Sequence, residues 1–271
     1  MKIPPLDNKY DFKNNKILYG KMGKGEPLII VHGTPWSSYN MRHLIFKLSK
    51  HFSVYYYDLL GYGKSDKPDS DVSLGIQNKI LSGLINHWKL KKPNILGHDF
   101  GGAITLRTLL IDKIQFNKIV LIDPVAISPW GSEFFLHVKK HEKAFSDITN
   151  YIHEAIIKSY IKTAAHKKIN ENVLSATIKP WLENTGKAGF YRQIAQANSQ
   201  YTDEIQKLYP IINSPVLILW GKEDKWIPVS KGIKLNKMIK SSILKIIPDS
   251  GHLVIEEKPK VLVKHIRNFL T

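Results

Sequence analysis

Three residues stand where their side chains could react. Asp99 lies in Gly97-His98-Asp99-Phe100-Gly101-Gly102, a turn crowded with glycine. A nucleophile on a sharp strand-to-helix turn needs small residues two positions to either side, because its backbone is strained and other chain segments approach closely. A serine there would need a base before attacking, whereas an aspartate is already ionised near neutral pH. Such a carboxylate can displace a leaving group from a saturated carbon and become an ester. His252 follows Pro248-Asp249-Ser250-Gly251, and Asp224 follows Val216-Leu217-Ile218-Leu219-Trp220 through Gly221-Lys222-Glu223. A histidine could activate the water that cleaves the ester, while an aspartate holds its ring and stabilises the cation. Asp224 is the first choice for that aspartate. Asp123, 24 residues beyond Asp99, is the alternative.

The elements that must position these groups are legible as apolar runs. Residues 28–31, 52–57, 93–96, 119–122, 216–220 and 243–247 read as strands. Helical spacing is expected from residue 38 onward and over 73–88, 103–111, 228–238 and 260–270. Strands alternating with helices, the strands nearly continuous in apolar residues, predict an α/β fold: a mostly parallel sheet, doubly wound, with helices on both faces. His32, Asp99, Asp123, Asp224 and His252 then all fall beyond carboxyl ends of strands, where ligands bind in such sheets. Residues 124–212 break the rhythm, with helical stretches punctuated by Pro124, Pro129, Pro180 and Pro210. The expected organisation is a core of 1–123 and 213–271, with 124–212 inserted as a helical lid. His98 and Asp58 read as structural, and His32 as a brace for the loop after residue 31.

The order nucleophile, acid, histidine matches that of α/β-hydrolases. The chain resembles the aspartate-nucleophile branch of that superfamily, which includes epoxide hydrolases and haloalkane dehalogenases. The matching pieces are HGTP at 32–35, DLLGYGKSD at 58–66, GHDFGG at 97–102, WGKED at 220–224 and SGH at 250–252. The resemblance implies Asp99 as nucleophile and an oxyanion hole from the N–H groups of Thr34 and Phe100. Some dehalogenases carry the acid at the place of Asp123. Gly189-Phe190-Tyr191-Arg192 resembles an epoxide hydrolase lid pattern, which would make Tyr191 the acid for the opening oxygen; its usual partner in the family is a second lid tyrosine, for which Tyr151 and Tyr160 are available, neither in a recognisable motif. Trp130 and Trp181 are candidates to line the pocket or donate to a halide. Haloalkane dehalogenases typically place tryptophan after the nucleophile and fluoroacetate-type enzymes arginine, whereas this chain has Phe100. Epoxide hydrolysis is therefore expected first, and haloalkane or haloacid dehalogenation second. Ester or lactone hydrolysis, and ligand binding without turnover, complete the alternatives.

The 271 residues carry 40 Lys+Arg against 23 Asp+Glu, a net charge of +17. The lysines are scattered and only four of the basic residues are arginine, the residue that reads bases and phosphates by bidentate forks. The expected partner is a small-molecule substrate, not nucleic acid or a membrane, with oligomeric state left open. No apolar run reaches the 18 or so residues of a membrane span, and the first fifteen residues lack a signal-like apolar stretch. A cytoplasmic location is expected, although a mature secreted chain would look the same. With no cysteine, disulfides and thiolate metal sites are excluded. No metal or other cofactor is expected. Gly61-Tyr62-Gly63 is too short and wrongly placed for a dinucleotide loop.

Overall fold

A computed structural model describes residues 3–271. Among these residues eight strands form one sheet in the order β1-β2-β4-β3-β5-β6-β7-β8. They are β1 (Asn8–Phe12), β2 (Asn15–Met22), β3 (Pro27–Val31), β4 (Ser53–Tyr57), β5 (Asn94–His98), β6 (Ile119–Ile122), β7 (Val216–Gly221) and β8 (Ser242–Ile247). From β4 to β8 every neighbouring pair is parallel, while β1–β2 and β2–β4 are antiparallel. The α/β architecture with a mostly parallel sheet is as expected.

The β1–β2 hairpin has no counterpart among the strands expected from the apolar runs. Its two-residue turn is Lys13-Asn14, both with positive φ (48° and 67°). That is the geometry of a tight hairpin, without the Asn-Gly or Asp-Gly pair that usually advertises it. Its strands are also only partly buried, so they lack the apolar runs of β3 to β7.

Helices α1 (Arg42–Leu48), α2 (Leu74–His87) and α3 (Phe100–Leu110) follow β3, β4 and β5 in turn. The helix expected from residue 38 begins at Arg42, because Ser37 to Met41 form successive tight turns instead. α3 is buried along its whole length, Thr105 and Thr108 included. Thr105 turns its hydroxyl back to the Gly101 carbonyl at 2.7 Å, which removes the cost of burying it. Each large apolar side chain buried here contributes roughly 1.5–3 kcal/mol.

Between β6 and β7 lie only helices: α4 (Glu133–Lys140), α5 (Glu142–Ser146), α6 (Asn150–Lys162), α7 (Glu171–Leu182), α8 (Gly186–Ala195), α9 (Gln200–Gln206) and a short 3-10 turn at Tyr209–Ile211. This layer is tied to the loops beyond the strand ends. Trp181 Nε1 donates to the Pro35 carbonyl at 2.9 Å, and Asn40 Nδ2 donates to Thr177 Oγ1 at 2.8 Å. α10 (Val229–Met238), α11 (Val254–Glu257) and α12 (Pro259–Leu270) complete the chain. No helix is long and apolar enough to cross a membrane among the described residues.

Candidate active site

Asp99 sits between β5 and α3 with φ 54° and ψ −119°, a conformation costly for any residue with a side chain. The strain is held by close packing on both sides. A Cβ on Gly97 would come within 2.3 Å of the Gly101 carbonyl oxygen, and one on Gly101 within 2.2 Å of that of Val31. Only glycine fits at either place, which is why the spacing in the sequence was informative.

The raised turn pushes the Asp99 carboxylate into a cluster of partners. Its Oδ1 accepts the Thr34 N–H at 2.6 Å. Phe100 is the first residue of α3, so its N–H has no acceptor within the helix. Asp99 Oδ2 lies 3.3 Å from His252 Nε2. This is an ion-pair approach, not a formed hydrogen bond, and Nε2 keeps its hydrogen-bonding capacity. His252 Nδ1 meets Asp224 Oδ2 at 2.8 Å. Asp224 is fixed in turn, because its Oδ1 accepts the N–H groups of Trp226 and Ile227, each at 2.8 Å.

The charges follow from this geometry. Burial alone would lower the His252 pKa, but the Asp224 and Asp99 carboxylates outweigh it and hold the imidazole well above its usual value. The two carboxylates beside the ring thus favour its cationic form.

Asp123, the alternative acid, ends β6 close by. Its Oδ1 accepts the Gly221 N–H at 2.8 Å, and its Oδ2 has no hydrogen-bond partner among the described residues. Burial first, and the charge of Asp224 second, push its pKa well above the usual carboxylate range. Asp224, not Asp123, is the carboxylate bonded to the imidazole. His98, Asp123 and His252 bring ligand-type atoms within 4.8 Å of one another. The donor set does not suit a metal, because His252 turns one nitrogen to Asp224 and the other to Asp99.

His32 Nδ1 donates to the Gly33 carbonyl at 2.8 Å, and its Nε2 accepts the Leu59 N–H at 3.0 Å. It braces the loop that carries Thr34, as read from the sequence. Asp58 accepts the N–H groups of Ser38 and Lys64, and His98 Nε2 donates to the His252 carbonyl at 3.1 Å. Both are structural in this arrangement.

Above the carboxylate is a small chamber of about 40 Å³, lined by Thr34, Asp99, Phe100, Trp130, Tyr160 and Trp226 among others. Two expectations for the helical layer need correction. Tyr191 does not line the chamber. It is fully buried, and its hydroxyl faces His153 Nδ1 at 2.9 Å. Trp181 does not line it either, since its ring packs on Tyr62 and Phe190. Helical periodicity identifies a buried face but not which rings on it reach the cavity. Trp130 does line the chamber, and its indole N–H is taken by Thr202 Oγ1 at 2.9 Å.

Two lining residues carried no motif in the sequence. Tyr160, on α6, has no hydrogen-bond partner for its hydroxyl among the described residues. Burial, and next the Asp99 charge, push its pKa above the usual phenol value, so it is a neutral donor. Trp226 stacks on Tyr160 at 4.5 Å between ring centroids and covers His252 at 5.2 Å. Its place two residues after Asp224 was the one available signal.

A family model described as the alpha/beta hydrolase family matches residues 28–265. The chain belongs to that family. This hydrolase superposes on an alpha/beta hydrolase fold protein from Burkholderia ambifaria with a TM-score of 0.96 and 42% identity, covering 98% of each chain. It is 26% identical to the uncharacterized hydrolase YugF of Bacillus subtilis, over 90% of each chain. It is 27% identical to a 2-hydroxy-6-oxo-6-(2'-aminophenyl)hexa-2,4-dienoic acid hydrolase of Metapseudomonas resinovorans, over 93% of this chain and 87% of that one.

Proposed function

We propose that this hydrolase opens epoxides through a covalent ester on Asp99. The observation that carries the reading is the Tyr160 hydroxyl, an unengaged donor in the chamber that also holds Asp99. An epoxide oxygen leaves as an alkoxide and needs a proton, whereas a halide needs N–H donors. The two chamber tryptophans have spent theirs, Trp130 on Thr202 and Trp226 on Thr163.

In the first step Asp99 Oδ2 attacks a ring carbon, the C–O bond breaks, and the oxygen takes the Tyr160 proton. Forming the ester removes the Asp99 charge. That withdraws one of the two carboxylates that keep His252 protonated. The imidazolium then returns a proton to the Tyr160 phenolate and becomes a neutral base. In the second step His252 Nε2 takes a proton from water while the hydroxide adds to Cγ of Asp99. The negative charge collects on Oδ1, where the Thr34 N–H already points and the Phe100 N–H is available. Loss of one such donor typically raises a barrier by about 3–4 kcal/mol. Collapse releases the alcohol with the imidazolium proton, and the Asp99 acid proton passes back to His252. The sum is one epoxide and one water converted to a diol.

The test is the intact mass of His252→Gln after mixing with pools of epoxides and alkyl halides. Gain of a whole epoxide mass is expected, because the ester forms and its hydrolysis stalls. Gain of an alkyl halide less hydrogen halide would move the activity to dehalogenation. No adduct, with a wild type inert toward both pools but active on esters or lactones, would favour ester or lactone hydrolysis. No adduct with an inert wild type would favour binding without turnover.

A further inference from the structure

The chamber beside Asp99 is too small for more than the reacting part of a substrate. It adjoins an outer cleft of about 600 Å³, and Ser132, Tyr160 and Trp226 line both. That volume is in the usual range for a small-molecule site. The remaining cleft wall is mainly carbon, from Phe134, Phe145 and Ile156. Lys225 is the one charged residue among its lining. It has no ion pair among the described residues, whereas Lys167 and Lys258 both pair with Asp249. Of the two carboxylates in its turn, Asp224 is turned inward to His252 and Glu223 accepts the Ser250 N–H at 2.9 Å.

We propose that the outer cleft holds the substrate's tail, an apolar chain that ends in a carboxylate paired with Lys225. This deepens the reading of the Asp99 site as one that takes a small electrophile, and it gives that electrophile a class: a ring borne on a fatty-acid-like stem. Desolvation of the stem against the phenylalanine and isoleucine walls supplies affinity. The lysine orients the chain so that the opposite end faces the chamber, and the net charge of +17 favours approach of an anion.

The test uses decanoate and decanol, which share a stem and carry no electrophile. Its outcome is thus independent of whether Asp99 opens epoxides. Calorimetric titration of the wild type should show both binding, decanoate more tightly. Lys225→Met should weaken decanoate about three- to fivefold, the size of a partly exposed ion pair, and leave decanol unchanged. The decanoate advantage should shrink at high salt. Ser159→Phe, which fills the cleft from an exposed position on its wall, should weaken both ligands. The proposal is overturned if neither ligand binds, if Lys225→Met affects both alike or neither, or if Ser159→Phe binds both as the wild type does.

Discussion

The loops at the strand ends and the helical layer between β6 and β7 build their shares of the site differently. In the loops, backbone groups fix each reactive side chain. Thr34 N–H holds Asp99, and the N–H groups of Trp226 and Ile227 hold Asp224. In the helical layer, side chains do the work. Tyr160 and Trp130 reach the chamber as rings, steered by stacking on Trp226 and by Thr202. Beside Trp181 and Asn40, a further side chain ties the two regions together at the site itself: Gln193 Oε1, on α8, accepts from Thr34 Oγ1 at 2.7 Å and from the Tyr62 hydroxyl at 2.9 Å. Backbone-held groups tolerate little variation in sequence and keep their chemistry. Side-chain-held groups can be exchanged, and they decide what enters.

The largest effects should come from the loops. Asp99→Asn and Asp224→Asn should each lower kcat by on the order of 10⁴-fold or more, as for members of a unit that act together. Asp123→Asn should lower it less than about tenfold, because a neutral amide can still accept the Gly221 N–H. The substituted protein should also be more stable at neutral pH. Asp123 is raised above its unfolded pKa, so the folded state resists an ionisation that the unfolded chain completes as pH rises past about 4. Steady-state rates and thermal melts of the three variants settle the assignment. Equal losses for Asp123→Asn and Asp224→Asn would mean that both carboxyls serve the histidine.

Within the helical layer the contrast is between two tyrosines. Tyr160→Phe should cost roughly 10²- to 10⁴-fold in kcat on an epoxide, the usual worth of a positioned acid. Tyr191→Phe should change kcat little and instead cost about 1 kcal/mol of stability, since His153 loses its hydroxyl partner. The reverse pattern, measured by rates and denaturant melts, would return the acid to Tyr191. A smaller loss tests the seam. A Cβ on Gly33 would fall 2.2 Å from Asp99 Oδ1, so Gly33→Ala must displace the carboxylate. About a 10²-fold loss of kcat is expected, the penalty for roughly an ångström of misplacement. Activity near the wild type would show that the carboxylate position is softer than its contacts imply.

The same division explains what the sequence could tell. The run 119–122 is β6 at both ends, and 216–220 is β7 less Gly221. Asp99, Asp224 and His252 were legible because the turns that carry them require glycines at fixed places. Thr34 and Phe100 followed from the resemblance through their backbone positions, which do not depend on side-chain direction. Tyr191 sits in a motif-like segment, yet Phe145 and His153 enclose it. Tyr160 has no motif and faces the chamber. Which ring on an amphipathic helix points into a cavity depends on how the helix is docked, and that is set by distant contacts such as Trp181 with Pro35. The β1–β2 hairpin escaped for a different reason, a positive-φ turn made by Lys13 and Asn14.

The smallest expected effect concerns the stability of the backbone-held set. The folded His252 pKa lies above its unfolded value of about 6.5, because Asp224 and Asp99 outweigh burial. Folding therefore gains from the cation. That contribution is fully present below about pH 6.5 and is lost as pH rises through the raised folded value. His252→Gln has no such cation at any pH, and it leaves the same two carboxylates facing a neutral group. The wild type should melt above His252→Gln at pH 6 by a few degrees, at about 2–4 °C per kcal/mol for a chain of this size. The gap should narrow steadily toward pH 10. A gap independent of pH would mean that the resting imidazole is already neutral. Tyr160 could then not regain its proton from His252, and the two regions would have to exchange it through solvent.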